Sequence, residues 1–264
     1  MPIPRRQPVH ALHLGGADRR RDEARRLRDV FNSGLERGRL WPERLPDELD
    51  MAAAHGASRN AVREAFGLLV AEGRVERQVG AGSFSRRVPA RYPFDRIVEG
   101  TTIQDELHDR RRSKLLGFRV LDEVPDGLRS TLGFAVACRR LAVFERISGI
   151  DGMPTELRTY LLAVPDGVEV DRAACVADVY GYIEDAFGRH IAGGTRAVSA
   201  MVADESTALH LNVPPGSALL FMESRLEDEN GDVVLITFGR HRNDHLTVTF
   251  RTVRPAGVRR AASA

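Results

Sequence analysis

The chain has 264 residues, 42% of them hydrophobic and 6% aromatic, which is ordinary for a globular protein and long enough for two modest domains. It has no long apolar run, which excludes a transmembrane helix, and the N-terminus lacks the apolar core of a signal peptide. The net charge of +2 is uneven: residues 1–91 hold 18 Lys and Arg against 12 Asp and Glu, whereas residues 92–264 hold 21 against 25. The first half is therefore the one suited to attract phosphate.

The N-terminal stretch, residues 1–17, carries prolines, glycines and few periodic apolar positions, so we expect a flexible arm. A first helix is predicted over residues 18–35, where a run of arginines lies outside and the apolar stripe is formed by Ala24, Leu27, Val30 and Phe31. Trp41 follows a turn and is expected to cover the edge of this small core.

Two short helices follow at helix-turn-helix spacing. Residues 45–56 predict a helix capped by Asp47 and ended by Gly56, and a tight turn leads to a helix over residues 57–72 with Ser58 as N-cap and Gly73 just past its end. Its apolar stripe is Val62, Ala65, Phe66, Leu69 and Val70. Taken alone, the second helix also fits an ordinary solvated amphipathic helix.

The outward side of the second helix begins with Arg59, Asn60 and Arg63. Arg can pair with guanine and Asn with adenine in a major groove, and the positive helix end favours phosphate. Residues 74–84 then alternate in polarity and turn on Gly80 and Gly82, which predicts a β-hairpin. A hairpin after such a helix is a wing.

Residues 18–87 resemble the winged helix-turn-helix of GntR-type bacterial transcription regulators. The match rests on residues at the family's spacings: Leu45, Pro46, Glu48, Ala52, Gly56, Ser58, Arg59, Val62, Arg63, Ala65, Leu69, Glu72, Gly73, Gly80, Gly82 and Phe84. The resemblance implies a DNA-binding domain whose contacts are Ser58, Arg59, Asn60, Arg63, Gly80 and Gly82. Leu49 stands where the family usually has a DNA-contacting Arg, and Asn60 and Ala61 replace two Thr. The binding mode carries over, and the operator sequence does not.

Residues 86–94 carry two prolines and neither a helical nor a strand period, which predicts a linker, assigned to residues 88–96. Beyond it we predict an antiparallel sheet with helices on one side, an α+β fold, because the strands are joined mainly by hairpins. The predicted strands are residues 118–123, 135–147, 155–162, 195–202, 218–227, 233–242 and 246–251, and the helices are residues 176–187 and 204–211. Residues 255–264 are expected to be a tail.

Residues 97–254 resemble the UTRA domain of the HutC branch of GntR regulators, which has a chorismate-lyase-like fold. The resemblance rests on the order of softer motifs: Glu123-Val124-Pro125, Leu132-Gly133, Arg146, Asp151-Gly152-Met153-Pro154, Tyr182-Ile183, Phe187-Gly188, Leu211-Asn212-Val213-Pro214-Pro215-Gly216 and Arg242-Asn243-Asp244. It implies a pocket along the sheet for a small polar or anionic metabolite, such as a sugar phosphate or an amino-acid catabolite. It also implies a homodimer.

The strand period gives one polar face near this pocket. On residues 155–162, Leu157 and Leu161 take one face and Glu156, Arg158 and Tyr160 the other, so the polar face is either solvent-exposed or a ligand cleft. Arg146 matches an Arg that the family uses to hold anionic groups, although an Arg on an exposed strand is often only solvated. The predicted effector-binding set is Arg146, Glu156, Arg158, Tyr160, Glu223, Arg240 and Arg242.

Two positions in this region depart from the family. Ser148 stands where the family often has a second Arg, and Arg158 stands where it often has a Glu. The changes argue against the usual amino-sugar effector and favour a more anionic ligand.

No cofactor, metal site or catalytic motif is predicted. Cys138 and Cys175 lack metal-site spacing and are expected to be reduced thiols, and His241 and His245 have no evident third ligand. There is no Gly-rich phosphate loop, no Gly-x-Ser-x-Gly elbow and no telling carboxylate pair, and Glu223 as an acid in a lyase-like cleft rests on fold analogy alone.

The sequence therefore predicts a cytoplasmic, homodimeric, effector-responsive regulator of transcription with no membrane partner. It would bind a palindromic operator in double-stranded DNA, with repression as the family default. Two alternatives stay open: a small-molecule-binding or lyase-like protein with a vestigial helix-turn-helix, and a constitutive repressor whose second domain is empty.

Overall fold

The computed structural model describes residues 16–36, 44–86, 90–93 and 111–250. Contacts along the chain divide it into two compact units, residues 1–89 and residues 90–264. Trp41, most of the N-terminal arm and the C-terminal tail lie outside the described residues.

The first unit consists of three helices and a hairpin. Its elements are α1 (Gly16–Glu36), α2 (Glu48–His55), α3 (Arg59–Ala71), β1 (Val75–Gln78) and β2 (Gly82–Ser85), with β1 and β2 antiparallel. Asp47 caps α2 by accepting from the amides of Leu49 and Asp50, and Gly56 ends it with a φ of 60° that favours glycine. These local signals produce the predicted helix-turn-helix and wing.

The core of this unit lies between α1 and α3. The Phe31 ring is 5.5 Å from that of Phe66 and 5.1 Å from that of His55, measured between centroids. Two residues predicted for the apolar stripes do not reach this core: Val30 is 50% exposed and Val70 is 37% exposed. Each lies at the margin of its stripe, because the buried face of α3 is centred on Val62, Phe66 and Leu69 instead.

The second unit is built on a six-stranded antiparallel sheet in the order β4-β5-β6-β9-β8-β7. Its strands are β4 (Arg111–Leu121), β5 (Arg140–Ile150), β6 (Met153–Val164), β7 (Ile191–Val202), β8 (Ala218–Asp228) and β9 (Val233–Arg242). Its helices are α4 (Asp126–Leu132), α5 (Arg172–Ala177), α6 (Val179–Phe187) and α7 (Glu205–Leu211). The sequence predicted these elements except α4 and most of α5, with shifted ends for several.

Three differences from the predicted elements have local causes. The helix expected over residues 176–187 is divided, because Asp178 leaves the helical conformation and caps α6 by accepting from the amides of Tyr180 and Gly181. The strand predicted over residues 135–147 starts later than expected, because β5 begins only at Arg140. Within the predicted linker, β3 (Ala90–Pro93) pairs in parallel with β10 (Leu246–Thr249), so its conformation is set by a partner distant in sequence.

The helices cover both faces of the sheet, which corrects the prediction of one. One face of the sheet, which we call the Tyr160 face, packs at one end against Cys175 of α5 and Ile183 of α6. This face carries Phe144, Arg146, Arg158, Tyr160 and His241. The opposite Leu157 face carries Leu157, Leu161, Phe238 and Arg240. It packs against Leu132 near one end and against Leu211 of α7 near the other. Side chains alternate between these faces, and both faces are apolar enough to be buried.

We predict that a buried ion pair fixes the end of β8. Asp228 accepts from the Nε and Nη2 of Arg189 at 2.9 and 2.6 Å, and its side chain is only 6% exposed. Burial raises the pKa of Asp228, but the hydrogen bonds from Arg189 and from the amides of Asp232 and Asn230 outweigh it, so the pKa lies below the ordinary 3.8. Asp228→Asn should cost about 2 to 4 kcal/mol in urea unfolding at pH 7.

The difference should shrink as the pH falls below 3.8, since the Asp228 carboxyl then loses its charge on passing through its lower folded pKa. Asp232→Asn is the matched control, because Asp232 is 51% exposed and 3.9 Å from Arg189. It should change stability by less than about 0.5 kcal/mol. Equal losses in the two variants would contradict the assignment.

Candidate functional site

The N-terminal turn of α3 presents three polar side chains to the outside of the first unit. The Ser58 hydroxyl accepts from the amide of Ala61 at 3.2 Å and so starts the helix. Arg59, Asn60 and Arg63 are exposed, whereas Ala61 is buried at 2% exposure. Ala61, one of the departures from the family pattern, is therefore a packing residue in this chain.

The exposed side chains are tied to their neighbours. Arg63 donates from Nη2 to the Oδ1 of Asn60 at 2.9 Å, across one helical turn. Arg77, on β1 of the wing, donates to Glu48 at 3.2 Å and to the carbonyl of Arg63 at 3.4 Å, and Glu48 also lies 3.9 Å from Arg59. One carboxylate at the start of α2 thus connects α2, α3 and the wing. No role for Arg77 or for the Glu48 side chain could be predicted from the sequence, because their contact depends on how the wing folds back.

The two glycines of the wing meet a conformational demand. Gly80 has a φ of 78° and Gly82 a φ of 111°, both in a region that residues with a Cβ rarely adopt. A Cβ at Gly82 would also lie 3.3 Å from the Nε of Arg44. Arg44 forms a bridge with Phe84, and the Leu45 amide donates to the Ser83 carbonyl at 2.9 Å. The segment before α2 therefore pairs with β2 of the wing through one bridge and one further backbone hydrogen bond.

Leu49 is 63% exposed on α2, at the position where the related pattern usually has an Arg. Between this helix and the wing lies an open cleft of about 720 Å³, lined partly by Asp47, Asp50 and Arg59.

The second unit buries charge on the Tyr160 face. Glu156 is 3% exposed, Arg158 8% and Tyr160 1%, which excludes the alternative that this polar face is open to solvent. The Arg158 guanidinium and the Glu156 carboxylate form an ion pair. Burying such groups is costly unless they are paired and hydrogen-bonded.

Arg146 joins this group from the neighbouring strand. It donates from Nη1 to the Val176 carbonyl at 2.9 Å and from Nη2 to the Tyr160 hydroxyl at 2.5 Å, and its guanidinium carbon lies 5.1 Å from the centre of the Tyr160 ring. The Tyr160 ring stacks on Phe144 at 4.4 Å. Burial raises the pKa of Tyr160, so the phenol remains protonated at neutral pH and keeps a proton to donate.

Strand register adds three polar residues to the predicted effector-binding residues on this face. Glu156 pairs with Ser148 on one side and with His241 on the other, and Ser148 pairs with Ser113 on the edge strand β4. The hydroxyls of Ser113 and Ser148 are 3.0 Å apart. Ser148 and His241 are each 2% exposed, whereas Ser113 is exposed, so the polar row opens toward the edge of the sheet.

Gly239 provides the floor beside His241. A Cβ at this position would lie 2.6 Å from the Nε2 of His241 and 3.4 Å from the Nε of Arg158. The absence of a side chain therefore lets the imidazole and the guanidinium approach each other above the sheet. The signal was present in the sequence as a glycine in the middle of a strand, which often marks a close approach.

The other three predicted effector residues lie elsewhere. Glu223, Arg240 and Arg242 project from the Leu157 face. Adjacent residues of a strand point to opposite faces, and these three are next to Met222 or His241, which point to the Tyr160 face. Arg242 donates to Asp244 at 3.0 and 2.7 Å, and Arg240 lies over Phe221 at 5.9 Å. The structure therefore brings together Arg146, Glu156, Arg158 and Tyr160 and separates the remaining three from them.

Within residues 21–35, 44–86 and 112–250, no three His, Cys, Asp or Glu side chains come close enough to hold a metal ion. Burial raises the pKa of Cys175 to about 12, so this thiol stays protonated. No helix in the described part of the chain is long and apolar enough to cross a membrane.

Comparison with known proteins agrees with both parts of this description. The family described as "UTRA domain" matches residues 108–247, and "Bacterial regulatory proteins, gntR family" matches residues 33–84. The chain is 26% identical over 220 residues to the HTH-type transcriptional regulator GmuR of Bacillus subtilis (strain 168), covering 80% of this chain and 89% of that protein.

Solved structures share the fold. PhnF from Mycobacterium smegmatis matches with a TM-score of 0.55 at 19% identity, over 86% of this chain and 98% of that one. The possible transcriptional regulator YydK from Bacillus subtilis matches with a TM-score of 0.50 at 16% identity, over 88% and 99%. The chain belongs to the GntR family of bacterial regulatory proteins, in the HutC branch that carries a UTRA domain, and is a transcriptional regulator.

Proposed function

We propose that the chain is a cytoplasmic, homodimeric repressor that binds a palindromic operator and responds to a small anionic metabolite. The single observation that carries the effector part is the buried polar group on the Tyr160 face. Two guanidinium groups, Arg146 and Arg158, share this region with one carboxylate, Glu156, so the charge there favours an anion. Arg forks are the natural holders of phosphate and carboxylate groups.

The neighbouring polar groups suit recognition of the rest of the effector. Ser113 and Ser148 offer hydroxyls, His241 offers a ring nitrogen, and the Tyr160 phenol can donate. The exposure of Ser113 suggests the side from which a ligand would enter. An effector with an anionic group near Arg146 and hydroxyl or amino groups near Glu156 would use all of these contacts.

The DNA-binding part rests on Arg59, Asn60 and Arg63 at the exposed end of α3. In a winged helix this end enters the major groove, where Arg reads guanine and Asn reads adenine. The hydrogen bond between Arg63 and Asn60 orients both groups before DNA arrives, which lowers the entropy cost of binding. Gly80 and Gly82 would let the wing backbone approach phosphate or the minor groove.

Effector control requires that the ligand bind two arrangements of the dimer with different affinity. The linker is the covalent connection between the units, and its strand β3 pairs with β10, which directly follows β9 and His241 in the chain. A ligand contacting His241 could thus alter the support of the linker and the spacing of the two DNA-binding domains.

Arg63→Ala should weaken binding to the operator by about 10- to 100-fold and leave binding to a scrambled duplex nearly unchanged, because it removes a base contact worth about 1 to 3 kcal/mol. Fluorescence anisotropy at physiological salt measures both affinities. Arg25→Ala is the control, since Arg25 is 58% exposed on α1 and pairs only with the neighbouring Asp22 among the contacts described. Unchanged operator affinity in Arg63→Ala would contradict the role given to α3.

Arg146→Lys should abolish the response to the effector and preserve DNA binding in its absence. Lysine keeps the charge but cannot hold the Val176 carbonyl, the Tyr160 hydroxyl and an anion at once. A panel of phosphorylated and carboxylated metabolites in a thermal-shift assay identifies the wild-type ligand, and titration of that ligand tests the variant. The control is Arg119→Lys, an exposed position on β4. Parallel loss of effector response and DNA binding would point to misfolding instead.

A further inference from the structure

The carboxylate of Glu48 lies beside the groups proposed to read DNA, which is an unexpected place for a negative charge. Glu48 is the first residue of α2, and its Oε2 lies 3.9 Å from the Nε of Arg59 at the start of α3. DNA carries a dense row of negative phosphates, so a carboxylate at this surface lowers the affinity for any duplex. Some other contribution of Glu48 must offset this repulsion.

Folding stability does not supply that contribution. The Glu48 side chain is 23% exposed and the Arg59 side chain 69% exposed, and an ion pair with so exposed a partner stabilises a fold little. The cap of α2 is formed by Asp47, whose Oδ1 accepts from the amides of Leu49 and Asp50 at 2.9 Å. The start of the helix therefore does not depend on the Glu48 carboxylate.

Arg77 holds the Glu48 carboxylate in place. The Nη2 of Arg77, on β1, donates to the Oε1 of Glu48 at 3.2 Å and to the Arg63 carbonyl at 3.4 Å. The other carboxylate oxygen, Oε2, is the one that lies near Arg59. The carboxylate is thus fixed from the wing through one oxygen and faces Arg59 with the other.

This arrangement occupies only one edge of the Arg59 guanidinium. The ion pair involves Nε, and the residues that the structure describes make no contact with the two Nη groups. A guanidinium oriented in advance can donate to the O6 and N7 of guanine at a smaller entropic cost. Asn60 and Arg63 orient each other in the same way, through their hydrogen bond of 2.9 Å. Each polar group at the exposed end of α3 then has a partner that fixes its direction.

We propose that Glu48 is a positioning residue for sequence discrimination, which orients Arg59 toward a base edge without contacting DNA itself. A residue with this role weakens binding to every duplex and strengthens the preference for one, because orientation matters only where a matching base is present. The inference rests on the proposed function in taking α3 as the helix that reads DNA. Its two effects have opposite signs, so measurement can tell them apart.

Glu48→Ala should tighten binding to a scrambled duplex and reduce the preference for the operator. Fluorescence anisotropy of the full chain measures both affinities, on the duplex that wild type selects from its own upstream intergenic DNA and on a scrambled duplex. The affinity for the scrambled duplex should rise by about 2- to 5-fold at low salt, because a repulsive charge is removed. The ratio of operator affinity to scrambled affinity should fall by about tenfold, because the contact of Arg59 with its base is less well oriented.

Asp50→Ala is the matched control. Asp50 is exposed in the same first turn of α2, lines the same cleft and contacts neither Arg59 nor Arg77 among the contacts described. Its removal should raise both affinities alike and leave their ratio within about twofold of the wild-type ratio. Circular dichroism melting checks the fold of each variant, and Glu48→Gln, which keeps the shape of the side chain, should lower the ratio in the same direction. An equal fall in the ratio for Asp50→Ala would overturn the proposal.

A double-mutant cycle tests whether Glu48 acts through Arg59. In the Arg59→Ala background, Glu48→Ala should lower the ratio no further. A further fall of the same size would mean that Glu48 itself contacts a base, such as the amino group of cytosine, and the positioning role would be wrong. An unchanged ratio in Glu48→Ala alone would contradict it as well.

The same measurements separate failure of this proposal from failure of the proposed function. If wild type discriminates between the two duplexes and Arg59→Ala loses that preference while Glu48→Ala keeps it, only the role of Glu48 fails. If wild type binds the two duplexes equally, the proposed function fails and the role of Glu48 fails with it.

Discussion

Buried charge on one face of the sheet is the constraint on which the second unit depends. The guanidinium groups of Arg146 and Arg158 cannot leave water without partners, and the fold provides a carboxylate, a phenol and a backbone carbonyl for them. A purely structural core would be equally stable with apolar residues of the same size. The proposed effector role would account for keeping charged residues at these positions.

Side chains alternate along each strand, so neighbouring residues lie on opposite faces of the sheet. On β9, His241 faces the polar group and Arg240 faces the opposite side, although they are adjacent in sequence. The Tyr160 face thus concentrates hydrogen-bonding groups, whereas the Leu157 face carries the rings of Phe221 and Phe238 beside Glu223 and Arg240. The same strands therefore give the sheet two chemically different faces.

Much of the fold could be predicted from sequence because its signals are local. Asp47, Gly56 and Ser58 fix the ends of α2 and α3 through their own side chains or backbone, and the hairpin over Gly80 and Gly82 follows from the turn. The strand β3 could not be predicted, since Ala90–Pro93 becomes a strand only by pairing with β10, more than 150 residues later. The position of α4 and the division at Asp178 likewise depend on packing and on competition between caps.

The polar group was partly predictable. Alternation along one strand correctly joined Glu156, Arg158 and Tyr160 on one face, and resemblance added Arg146. Ser113 was not predicted, and the place of His241 beside Glu156 could not be, because both depend on the register between strands. For the same reason the faces of Glu223, Arg240 and Arg242 could not be predicted. A single strand shows which residues alternate, but only pairing with the neighbouring strands shows which set shares a face with the polar group.

The most direct test of the whole account is fluorescence anisotropy of the full chain on its own upstream intergenic DNA and on a scrambled duplex, with and without the metabolite panel. We expect sequence-selective binding that weakens with salt and that one anionic metabolite shifts. Equal affinity for the two duplexes at every salt concentration, together with no effect of any metabolite, would contradict the account.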